Sequence, residues 1–204
     1  RLHITLDGEL VAELDRRAGT RQRSAYIEAA VRQALEDERR WDDVESALGS
    51  LPASGHAWDD DPATWVRHNV KPTAGAPDVA RLLLDSTVLI DALRGRPAAA
   101  RVAGLRRLGT QPWVCAISVE EIWRGLHPEE ETHAVRLFRG LRLAPLGVPE
   151  GRLAGTWRRD FAAAGTTLHQ ADCLIAAAAV GISASLATAN VQDFPMSELR
   201  VEAW

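Results

Sequence analysis

Apolar and polar residues alternate singly at the start of the chain and then change rhythm. In RLHITL, Leu2, Ile4 and Leu6 alternate with Arg1, His3 and Thr5, the two-residue period of a strand with one buried face. Leu10, Val11, Leu14 and Ala18 then recur at helical spacing, with Asp7 placed to cap that helix and Gly19 to end it. After the polar turn TRQR, Ser24 is a second N-cap candidate. The next helix, AYIEAAVRQALEDERRW, sets Ile27, Ala30, Val31, Ala34 and Leu35 on one side. A strand-helix-helix unit spanning 1–41 is too small to bury its apolar faces alone. The pattern therefore predicts a dimer.

The rhythm breaks between 50 and 80, where Pro52, Gly55, Pro62, Pro72, Gly75 and Pro77 prevent any long regular element. KPTAGAPD is the best linker candidate. From 81 onward the pattern is α/β. RLLLD reads as a short strand covered on both faces, followed by a helix near VLIDALRG and a helical stretch through AAARVAGLRRLG. WVCAIS is a second apolar strand, followed by the helix VEEIWRGL. Helical segments near 129–141 and 149–165 come next, then the helix HQADCLIAAAAVG, the short strand SLATAN, and VQDF. Strands alternating with helices predict a parallel sheet sandwiched by helices, with right-handed crossovers.

Composition adds limits. The 204 residues, 46% of them hydrophobic, suffice for one sizeable core and a second small unit. No apolar run approaches the roughly 20 residues of a membrane span, and no leader pattern opens the sequence, so the expectation is a cytoplasmic protein with no membrane partner. Cys115 and Cys173 lie far apart without metal or redox spacing and read as small buried hydrophobes. Trp113, Trp123, Trp157 and Trp204 read as packing residues.

Charge is uneven along the chain. Positions 42–66 carry six acids, Asp42, Asp43, Glu45, Asp59, Asp60 and Asp61, and no Lys or Arg. This acidic stretch holds Trp58 and Trp65, and exposed tryptophans are unusual in a free linker. The reading is a strap lying on a partner surface.

Four places in the α/β part set a carboxylate or amide beside a strand end or in a first helical turn: Asp85 after LLL, Glu121 after AIS, Asp172 in the Ala-rich helix, and Asn190 with Asp193 after SLAT. Each has a plainer role when taken singly. Asp85 suits an N-cap, Glu121 and Asp172 favour the positive end of a helix, and Asn190 suits a turn. In a parallel sheet all of them fall along one edge, where ligands bind and where bare carboxylates would repel one another without a cation. An all-oxygen set selects Mg²⁺ or Mn²⁺.

LLLDSTVLID, EEIWRG, ADCLIAAAA and LATANVQDF, in that order, resemble the PIN-domain ribonucleases, and most of all the VapC toxins, across 81–204. The resemblance implies a PIN-like fold. It also implies an acidic metal site of Asp85, Glu121 and Asp172, completed by Asn190 or Asp193, with Thr87 or Ser86 orienting a water; Glu120 would point elsewhere. Asp85 and Asp172 would hold the metal, and Glu121 directly or through water. The implied reaction is hydrolysis of RNA, with tRNA or rRNA the usual substrate of the family. Residues 1–41 resemble the ribbon-helix-helix DNA-binding proteins, which implies Arg1, His3 and Thr5 on base edges and Arg23 with Ser24 at a phosphate.

Together the two parts match a VapB antitoxin ahead of a VapC toxin. Operator DNA binding with autorepression is then implied, and 42–80 becomes a toxin-covering strap and linker. Its anchors would be Trp41, Val44, Leu48, Leu51, Trp58, Trp65 and Val66, with Arg67 or Lys71 reaching the carboxylates. In the VapB and VapC pair the two parts are separate proteins, so this chain is either a fusion or two joined products, the toxin part beginning near Val79 or Ala80. The competing reading is a transcriptional regulator whose α/β part only oligomerises. A phosphotransfer enzyme fits less well, since those families generally use a Lys and the single lysine, Lys71, lies outside the α/β part.

Overall fold

The computed structural model describes residues 5–19, 21–52 and 81–204. It divides into two units, Arg1–Trp41 and Asp42–Trp204. In the first, α1 (Gly8–Ala18) starts where Asp7 accepts a hydrogen bond from the Leu10 amide and ends at Gly19, whose φ of 75° suits a residue without Cβ. Helix α2 (Arg23–Ala47) begins one residue before the expected Ser24 cap, so Ser24 lies in its first turn. It also runs past Trp41 to Ala47. No proline or glycine interrupts it before Gly49, and propensity alone therefore carries it on. The alternating residues Arg1 to Ile4 lie outside the described residues, as do Trp58, Trp65, Val66, Arg67 and Lys71 of the strap.

The second unit is built on five parallel strands in the order β3-β2-β1-β4-β5. These are β1 (Arg81–Leu84), β2 (Gln111–Cys115), β3 (Arg142–Ala144), β4 (Ser185–Thr188) and β5 (Val201–Ala203). The helices are α3 (Ser86–Leu93), α4 (Pro97–Leu108), α5 (Ala116–Gly125), α6 (Glu131–Gly140), α7 (Val148–Ala163) and α8 (Gln170–Gly181), with short 3₁₀ turns at Pro128–Glu130 and Val191–Asp193. Central β1 is buried from Leu82 to Leu84, as its uninterrupted leucines require. Helix α8 is buried almost all round through Cys173 and the run Ile175–Ala179, whose small side chains let α7 pack closely on it.

Several boundaries differ from the sequence reading. WVCAIS is not strand throughout: pairing ends at Cys115↔Ala144, and Ala116, Ile117 and Ser118 begin α5. A short apolar run carries no period that distinguishes the two. Strands β3 and β5 were not anticipated, because three residues on a sheet edge are too few for a pattern. Trp123, expected to be packed, is 41% exposed.

The end of α2 belongs to the second unit. Val44, Ala47 and Leu51 are buried, the Gly49 and Leu51 amides donate to the Ala92 and Leu93 carbonyls at 2.8 and 2.9 Å, and Glu45 pairs with Arg106 at 2.9 Å. Gly49 crosses Gly95 so closely that a Cβ on either would lie 3.2 or 3.0 Å from the other's Cα. The segment 42–47, read as extended strap, is therefore helix. Its Val44 and the later Leu51 are core residues of this unit, Leu48 is half-buried, and Trp41 closes the first unit.

Candidate active site

Strand order fixes where a site can form. Chain connections leave β1 toward β2 and β4 toward β5, in opposite directions, so a crevice opens beyond the carboxyl ends of β1 and β4. Asp85 follows β1 and Asn190 follows β4. The register Leu84↔Ala187 sets Asp85 beside Thr188, and the Asp85 amide donates to the Ala187 carbonyl at 3.0 Å.

Asp85 is only 4% exposed and is wrapped in donors. Its Oδ1 accepts from the Ser86 amide at 2.8 Å, as the N-cap of α3. Its Oδ2 accepts from the hydroxyls of Thr87 and Thr188, both at 2.8 Å. Burial pushes its carboxyl well above the usual carboxylate range, and the Thr188, Thr87 and Ser86 hydrogen bonds pull it part of the way back.

Glu121, in α5, is half-buried. Its carboxyl is raised by burial and by the Asp85 charge, against a lowering hydrogen bond from Ser86. The Ser86 hydroxyl lies 3.4 Å from Asp85 Oδ1, a weak approach. Asp172, in the first turn of α8, is pushed up to about 7, first by burial and then by the charges of Asp193 and Asp85, with Glu121 adding and His169 partly offsetting. The four acids Asp85, Glu121, Asp172 and Asp193 thus share one electrostatic site, while neighbouring Glu120 is exposed.

The last two sequence candidates separate here. Asn190 is buried and its main-chain amide donates to Thr188 Oγ1 at 3.0 Å, whereas the Asp193 carboxylate is the charge that most raises Asp172. Of the hydroxyls expected to orient a water, Thr87 donates to Asp85 Oδ2 at 2.8 Å, and Ser86 lies 3.4 Å from the Oδ1 of the same carboxylate. Thr188 went unnoticed in the sequence, where a threonine ending SLAT reads as an ordinary strand residue.

Asp85, Glu121 and Asp172 hold their protons more tightly than free carboxyls, which marks a shortage of positive charge around them, and the donor set is oxygen only. Both features fit a hard divalent cation. Among the described residues, no group of three His, Cys, Asp or Glu side chains stands close enough together to hold a metal ion as placed. Of the DNA-contact candidates, Thr5 is exposed, Arg23 pairs with Asp15, and Arg1 and His3 lie outside the described residues.

A five-stranded parallel sheet with an acidic, cation-seeking crevice at its switch point defines the class, and residues 82–195 match the PIN domain family. The chain belongs to that family. It is 30% identical over 115 residues to Ribonuclease VapC19 of Mycobacterium tuberculosis (strain ATCC 25618 / H37Rv), covering 56% of this chain and 92% of that protein. To Ribonuclease VapC10 of the same strain it is 33% identical over 117 residues, covering 57% and 88%. The fold also matches a chain of VapBC-1 from nontypeable Haemophilus influenzae (TM-score 0.53, 21% identity, 61% of this chain and 98% of that one). A chain of VapBC2 from Rickettsia felis bound to a DNA fragment from their promoter matches with TM-score 0.52 and 18% identity, covering 61% and 98%.

Proposed function

We propose that this chain is a metal-dependent endoribonuclease of the toxin-antitoxin class, using Mg²⁺ or Mn²⁺ to hydrolyse RNA phosphodiester bonds, with tRNA or rRNA as the substrate. The observation that carries the reading is that Asp85, Glu121 and Asp172 hold their protons tightly at one crevice, with the Asp193 charge adding to the rise of Asp172. The ribonuclease names of the relatives support it. Asp85 and Asp172 would hold the cation, with Glu121 directly or through water. A cation bound there would attract an anionic phosphodiester and lower the pKa of an attacking water. Asp85 presents its charge from a fixed position, held by Thr87, Thr188 and the Ser86 amide.

The same reading makes 1–41 a ribbon-helix-helix, antitoxin-like module that dimerises and binds operator DNA through Arg1, His3, Thr5, Arg23 and Ser24, repressing its own promoter. It makes 42–80 the covering strap and linker, with Trp58 and Trp65 among its anchors and Arg67 or Lys71 reaching the acids, and 81–204 the nuclease. Exposed Leu10, Val31 and Leu35 supply an apolar face for the dimer. The whole would act in the cytoplasm.

The deciding experiment is RNA cleavage by purified Asp85→Asn, with and without Mg²⁺. Loss of metal-dependent cleavage in a folded variant is expected, and full activity would retire the assignment. Autoinhibition is tested by Arg67→Ala combined with Lys71→Ala, which should raise the cleavage rate; an unchanged rate removes the strap's inhibitory role.

A further inference from the structure

Two backbone amides at the end of β4 determine where two hydroxyl protons go. The Ala189 N–H donates to Thr87 Oγ1 at 3.2 Å, and the Asn190 N–H donates to Thr188 Oγ1 at 3.0 Å. An amide can only donate, so each of these contacts takes a hydroxyl lone pair and leaves the hydroxyl proton free to point elsewhere. Each threonine has one proton, and the acceptor within reach of both is Asp85 Oδ2, at 2.8 Å from either oxygen. Thr188 is completely buried, so no water competes for its proton.

We infer that Thr188, seconded by Thr87, is a positioning residue for the metal carboxylate. The pair commits Oδ2 of Asp85 to two fixed donors and so leaves Oδ1, which accepts only the Ser86 amide closely, as the oxygen offered to a cation. The relay also ties the turn carrying Asn190 and Asp193 to the tip of β1, so the two halves of the site are held in one arrangement. This inference rests on the metal-site reading above and goes beyond it by giving a role to residues that touch neither substrate nor cation. Partners of this kind, which orient a ligand from behind, typically account for about 10–100-fold in metal affinity or activity.

The test is Mn²⁺ binding to the full chain, followed by electron paramagnetic resonance without RNA, in wild type, Thr188→Val, Thr188→Ser and Asp85→Asn. The series is repeated with Arg67→Ala and Lys71→Ala present, so that the strap cannot mask the site. Valine keeps the shape and loses the hydroxyl, while serine keeps the hydroxyl. The expected result is Mn²⁺ affinity weakened about 10–100-fold in Thr188→Val and restored to within about threefold by Thr188→Ser. In the Asp85→Asn background, Thr188→Val should cost nothing further. Thr87→Val, a more exposed site, gives the same measurement should Thr188→Val fold poorly. Wild-type affinity in both valine variants, or a serine variant as weak as valine, overturns the relay while leaving the nuclease reading intact. Normal Mn²⁺ binding with no RNA cleavage by the chain carrying Arg67→Ala and Lys71→Ala would sink the nuclease reading and leave the relay standing.

Discussion

Asp7 and Asp85 are the same residue in the same backbone state. Each caps a helix with φ −69° and ψ 160° and accepts a main-chain amide at 2.8 Å. Asp7 is exposed and takes the Leu10 amide three residues on, an ordinary cap. Asp85 is buried, takes the very next amide, and adds two threonine hydroxyls on its second oxygen. One local signal therefore serves two ends, and the surroundings decide which. At Asp7 water screens the charge. At Asp85 the sheet edge strips water away and sets other carboxylates nearby, so the cap becomes a site.

The sharpest way to break the comparison is to neutralise each aspartate. Asp85→Asn should lower Mg²⁺-dependent RNA cleavage by about 1,000-fold, the equivalent of several kcal/mol of metal-assisted stabilisation. Asp7→Asn should leave the rate unchanged, measured on the same RNA at saturating metal. Equal losses in the two variants would show that the caps differ less than their burial implies.

Titration gives a smaller effect. The folded-state value of Asp172, about 7, lies above the ordinary aspartate value of 3.8, so in that window the folded state binds the proton the unfolded chain has released. The contribution of this group to stability is thus complete below about pH 4 and is lost as pH rises through 7. Melting temperature in chelator should fall across that window and level off above it, and Asp172→Asn should flatten the curve. Mn²⁺ affinity should weaken by up to about tenfold per unit of acidification below pH 7 for the proton displaced. A wild-type melting curve unaffected by pH, or one whose slope survives Asp172→Asn, would contradict the shared electrostatics.

The smallest effect belongs to the plain cap. Asp7→Ala should destabilise α1 by about 1 kcal/mol, seen as faster amide exchange in its first turn, with the exchange of α3 unchanged.

Much of this site was legible because acidic residues at strand ends are conspicuous. LLLD announced a covered strand with a charge at its tip, and the α/β alternation put the other acids on the same edge. Of the adjacent pair, Glu121 is half-buried and Glu120 is exposed. What could not be read was anything set by pairing across long separations. Thr188 matters because β4 lies beside β1 in the register Leu84↔Ala187, and no local pattern encodes that neighbour. The strands RLA and VEA were invisible for want of length. The helical end at 42–47 was taken for strap because acids and a nearby proline masked a continuing helix, whose apolar anchors Val44 and Ala47 pack on a part of the chain fifty residues away. For the same reason, removal of residues 1–71 would strip buried side chains from the second unit.

The bare crossing of Gly49 over Gly95 works as a vernier. Sliding the segment by one residue would bring Leu48 or Ser50 to a spot where even a methyl group meets backbone at about 3 Å, so only one alignment is sterically open. Asp43 and Glu45 are thereby indexed to Arg139 and Arg106, and the chain is delivered to residue 52 at a single, defined point of departure.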